Sequence, residues 1–122
     1  LDGFQANGRA AGELAENRTA EQLAWRPAPT AWSIAECLDH LTRTNTAYVA
    51  TIRGAMAASA SPKRRGEIQL SWFARWFLSQ VEPPPRWKVP APLQIRPSVD
   101  PAQAREALAA FLASQEAAAA LI

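Results

Sequence analysis

The sequence predicts an all-α protein, arranged as an incomplete helical bundle with one long crossover. Apolar residues recur at helical spacing in three long stretches. Two of those stretches open on cap signatures. Between them, no alternation of apolar and polar residues marks a strand. The chain has 122 residues, is 48% hydrophobic and 20% charged, and carries 10 prolines. One domain is the natural count at this length, and its core needs no disulfide or metal staple.

Asp2 to Ala24 reads as the first helix, with Phe4, Ala11, Ala15, Arg18 and Gln22 on one face and Leu14 beside it. Gly8 and Gly12 each weaken it by about 1 kcal/mol relative to alanine, which suits close contact with another helix. Pro27 and Pro29 end the segment, because proline disfavours helix at the preceding residue. Ser33-Ile34-Ala35-Glu36 then forms a capping box, with Trp32 at the staple position. From it Ile34, Leu38, Leu41, Asn45, Tyr48, Ile52 and Ala55 make a core-facing stripe. A second, smaller stripe holds Cys37, His40, Thr44, Ala47, Thr51 and Ala58, suited to tight packing or to lining a cleft.

Lys63-Arg64-Arg65 lies in a basic loop, more suited to solvation than to meeting phosphate. Ser71 to Gln80 reads as a short aromatic helix bearing Trp72, Phe73, Trp76 and Phe77, stopped by Pro83-Pro84-Pro85. The Trp72/Trp76 pair suits a core or interface better than a stacked ligand. Arg86 to Ser98 is expected to run extended, anchored by Trp87, Val89, Leu93 and Ile95. Asp100-Pro101-Ala102-Gln103 supplies a cap, a proline at the first helical position and a reciprocal glutamine. The last helix buries Ala104, Leu108, Phe111, Leu112, Gln115, Ala119 and Ile122. The connector before it spans about forty residues, hence the crossover. Both ends read as cut, since no Met opens the chain and no helix-stop residue follows Arg105. More helix is expected past Ile122.

Cys37 is the only cysteine, so no internal disulfide forms and a cytoplasmic protein is expected. No charge-free run approaches the ~18 residues of a membrane span, and an export signal is not expected. A net charge of +2 is too mild to argue for nucleic acid.

One histidine in the chain limits imidazole catalysis and metal binding. Cys37 and His40 stand three apart, on one helical face. They could form half of a metal site, or a nucleophile and its base. A buried cysteine beside a hydrogen-bonded, helix-edge histidine is the reading favoured by spacing alone. Glu36 and Asp39 are near His40 in sequence. Asn45, within an apolar stripe, is either a satisfied buried amide or a site residue, the former being commoner.

Trp32-Ser33-Ile34-Ala35-Glu36-Cys37-Leu38-Asp39-His40-Leu41 resembles the signature of the DinB-like family, also called the damage-inducible superfamily. The approach loop Leu23-Ala24-Trp25-Arg26-Pro27-Ala28-Pro29 and the connector Trp87-Lys88-Val89-Pro90-Ala91-Pro92 with Arg96-Pro97 add to the likeness. The resemblance implies a four-helix bundle and a divalent cation (Zn, Ni, Mn or Fe) held by three histidines. His40 matches the ligand on the second helix. The other two belong to a C-terminal fourth helix that this chain is expected to lack, so tight metal binding by this chain alone is not expected. The resemblance further implies a metal-dependent hydrolase, or a transferase using a bacterial low-molecular-weight thiol, acting on a small-molecule substrate. The alternative is a non-catalytic bundle working by partner binding or as a homodimer, through a helical face left open.

Overall fold

The computed structural model describes residues 2–58, 72, 75, 76, 79 and 90–121. Four α-helices are bounded among them: α1 (Asp2–Glu16), α2 (Ala20–Ala24), α3 (Ile34–Ala58) and α4 (Ala104–Ala119). Two 3-10 turns, Leu93–Ile95 and Pro101–Gln103, precede α4. No described residue lies in a strand, and no helix among them is long and apolar enough to cross a membrane.

The chain separates into two compact units, residues 1–58 with 92–122, and residues 59–91. In the second unit Trp72, Arg75, Trp76 and Ser79 are helical, as the aromatic pattern predicts. Trp72 and Trp76 are both exposed, which does not suit a core role. Lys63-Arg64-Arg65, Phe73, Phe77, Trp87 and Val89 lie outside the described residues.

The first unit is built on α4, which packs most extensively on α3 and also on α1. Its core joins Ala11 and Ala15 of α1, Leu23 of α2, Ala35 and Leu38 of α3, and Ala104, Ala107 and Phe111 of α4. Five alanines within that core let the helix backbones come close; Leu23, Leu38 and Phe111 are the large side chains that fill the remaining space.

Several expectations are corrected. The single helix over Asp2–Ala24 is two, because Thr19 and Gln22 form a capping box of their own. Gln22 N–H donates to Thr19 Oγ1 at 3.2 Å, and Thr19 N–H donates to Gln22 Oε1 at 2.8 Å. That restart turns Gln22 outward and Leu23 inward. The core-facing stripe of α3 holds only through its first turns. Leu38 is buried, whereas Leu41, Tyr48 and Ile52 are exposed. The last helix begins as a 3-10 turn, not as a box. Asp100 Oδ1 accepts from Ala102 N–H at 2.9 Å, while Gln103 N–H donates to the Asp100 carbonyl at 2.8 Å. The crossover carries a 3-10 turn where extended chain is expected, and Leu93 is exposed there instead of anchoring it.

Candidate functional site

The start of α3 carries most of the polar side chains that sequence analysis singles out. Its capping box forms as expected. Glu36 N–H donates to Ser33 Oγ at 3.2 Å, and Ser33 N–H donates to Glu36 Oε2 at 2.9 Å. Arg26, ten residues upstream, closes on the same carboxylate through two nitrogens, Nε donating to Oε2 at 2.8 Å and Nη2 to Oε1. The Arg26 guanidinium holds the Glu36 carboxyl below its usual range, against the opposing effect of burial, with Ser33 assisting. Both Glu36 oxygens are therefore engaged in anchoring the approach loop to the helix.

Asp39 is committed in the same way. Its Oδ2 accepts from Arg43 Nε on the next turn and from the Ser98 N–H of the crossover, each at 2.8 Å. His40, half-buried, completes a second tie to the crossover, with Nδ1 2.6 Å from the Ile95 carbonyl oxygen. A carbonyl only accepts, so Nδ1 donates its proton there and Nε2 is the ring nitrogen left over. The Trp32 ring packs against it, with centroids 5.0 Å apart and planes tilted by 50°.

Cys37 is exposed, contrary to the buried cysteine that spacing favours. Partial desolvation pushes its thiol pKa up, and the neighbouring Glu36 carboxylate adds to the rise. Among the described residues no hydrogen bond joins Cys37 to His40, and no three His, Cys, Asp or Glu side chains gather as a metal-binding group. A thiol with a raised pKa and no bonded base is a poor nucleophile.

Instead Cys37 lines a cleft of about 610 Å³ formed by α1, α3, α4 and Trp32. Phe4, Leu14, Ile34, Leu41 and Phe111 supply its apolar walls. Asn45 and Gln115 face into the same space from α3 and α4. Asn45, half-buried, is bonded through its amide nitrogen: Nδ2 donates to Ser114 Oγ at 3.0 Å, and the Ser114 hydroxyl donates to the Phe111 carbonyl at 2.7 Å. Gln115, only 8% exposed, has no partner for Oε1 among the described residues. Sequence analysis places Gln115 on the buried stripe but misses Ser114 and Arg26. Ser114 lies outside the apolar period, and no local pattern links Arg26 to Glu36 across two prolines.

The DinB superfamily matches residues 4–122. No curated protein and no solved structure matches the chain.

Proposed function

This chain belongs to the DinB superfamily, and from that membership we propose a domain of the metal-dependent hydrolase or low-molecular-weight-thiol transferase type. In this reading it acts on a small molecule, and His40 is one ligand of a divalent cation. The observation that carries the reading is the bond of His40 Nδ1 to the Ile95 carbonyl. It fixes the tautomer and ring orientation and leaves Nε2 for a cation, the arrangement a metal-bound histidine uses.

The described residues do not fit a metal by themselves. His40 is the one histidine of the chain. Glu36 and Asp39 are bonded to Arg26, Ser33, Arg43 and Ser98. A lone imidazole does not hold a divalent ion tightly. No reaction step is therefore routed through a metal here. What His40 does unaided is tie α3 to the crossover and seat the Trp32 ring.

A non-catalytic bundle acting by association is the second reading. Leu41, Tyr48, Ile52 and Met56 favour it, standing exposed along α3 at near-heptad spacing. Titrating Zn²⁺ into the protein while following the His40 ring resonances separates the two. Saturable shifts at His40, with at least tenfold weaker Zn²⁺ binding in His40→Ala, support the metal reading. Undiminished metal binding in the variant removes His40 from any site. For the second reading, light scattering across a dilution series is decisive, and a monomer at every concentration counts against it.

A further inference from the structure

We propose that Asp39 is the positioning residue of His40. By holding the Ser98 N–H it pins the crossover, so that the Ile95 carbonyl receives the Nδ1 proton and Nε2 is the nitrogen left for chemistry. This deepens the reading of His40 as the working residue and rests on it, but its test needs no cation.

The two side chains are neighbours on α3 and reach two points of the crossover three residues apart. Asp39 Oδ2 accepts from the Ser98 N–H at 2.8 Å, and His40 Nδ1 lies 2.6 Å from the Ile95 carbonyl oxygen. This clasp has a polarity. A carboxylate only accepts, and Nδ1 donates here, so the crossover must offer an N–H to one and a carbonyl to the other. A slip of one residue would bring Pro97, which has no N–H, to Asp39. The register of the crossover on α3 is thereby fixed in that direction.

Little else near Ile95 does this work. Its local backbone bonds run from the Ile95 N–H to the Pro92 carbonyl at 3.1 Å and from the Arg96 N–H to the Leu93 carbonyl at 3.4 Å. They shape the 3-10 turn without tying it to α3. Leu93, Gln94, Arg96 and Ser98 are exposed, and Val99, which packs against the core, lies past Ser98. The bond to Asp39 is therefore a nearer anchor for the Ile95 carbonyl than the packing of Val99. Asp39 is itself steadied from the next turn, where Arg43 Nε donates to the same Oδ2 at 2.8 Å. An acid that served only to pair with Arg43 would leave the proton placement of the His40 ring untouched, and that is the distinction to measure.

His40 is the one histidine of the chain, so its ring signals need no assignment by mutation. Long-range ¹H–¹⁵N correlation spectra of the metal-free protein give the ratio of Nδ1–H to Nε2–H forms. They are recorded at a pH high enough that the ring shifts no longer move. The unaltered protein should be mainly Nδ1–H. Asp39→Ala should lower the ratio about fivefold, the size of one lost neutral hydrogen bond. Ser98→Pro, which removes the same bond from the crossover side, should lower it alike. Asp39→Asn keeps an acceptor for the Ser98 N–H and should stay within about twofold of the unaltered protein. The Ser33 and Glu36 amide shifts, which report the capping box, should keep their places in all three variants. An unchanged ratio in Asp39→Ala or in Ser98→Pro overturns the proposal. So does a loss in Asp39→Asn as large as in Asp39→Ala, because charge and not the bond to Ser98 would then be responsible. A mainly Nε2–H ring in the unaltered protein overturns it outright. The cation reading stands or falls on the Zn²⁺ titration instead, so the two failures are distinguishable.

Discussion

Replacing Glu36 with glutamine and with alanine separates the two tasks of its carboxylate. Glutamine keeps an acceptor for the Ser33 N–H but loses the charge that faces Arg26. Arg26 is half exposed at 52%, so water screens the pair and the charge contributes little. Alanine also removes the reciprocal half of the box. That strands the N–H of Ser33, which is 3% exposed, at a cost of about 1–3 kcal/mol. We expect Glu36→Gln to cost little and Glu36→Ala to cost about 1–3 kcal/mol more than that, read as urea midpoints at neutral pH.

The charge contribution depends on pH with a definite sign. Arg26, helped by Ser33, holds the folded-state pKa of Glu36 below its ordinary value of 4.5. The carboxylate therefore stabilises the fold fully above its unfolded-state pKa. That contribution is lost as pH falls through the lower folded-state value. The gap between the unaltered protein and Glu36→Gln should be constant near neutral pH and shrink as pH falls below the ordinary carboxyl value of 4.5. A gap independent of pH, or a glutamine variant as unstable as the alanine one, would refute this account of the start of α3.

Two further outcomes follow from local geometry. A Cβ on Gly8 would meet Leu112 Cδ2 at 3.5 Å, an ordinary contact, and one on Gly12 would meet nothing within 4 Å. Gly8→Ala and Gly12→Ala should each stabilise the protein by about 0.5–1 kcal/mol in chemical denaturation; destabilisation at Gly8 would mean a tighter approach of α1 to α4. Cys37, its pKa raised by desolvation and by Glu36, should react with iodoacetamide at pH 8 more slowly than a free thiol. Glu36→Gln should speed that reaction, and a rate equal to that of a free thiol would contradict the raised pKa.

The start of α3 was legible because a capping box is closed within four residues. The Thr19–Gln22 box that separates α1 from α2 obeys the same rule and carries the same kind of pattern. Sequence analysis runs one helix through it because helical spacing of Ala11, Ala15, Arg18 and Gln22 persists across the break. Periodicity reports which residues share a face, while the cap decides whether the backbone continues.

For the candidate site the division is sharper. Primary structure alone determined an all-α chain, the position of His40 one turn beyond Glu36, and a face shared with Cys37, since these depend on helical spacing. Only the tertiary structure decided their partners. His40 bonds to Ile95, 55 residues away, and Asn45 bonds to Ser114, 69 residues away. Contacts between distant segments leave no local pattern. The same limit explains α3, whose stripe keeps its period from Ile34 to Ile52 although burial ends after Leu38 and reappears at Val49. A stripe states what a helix is able to bury; the helices packed against it settle what is covered.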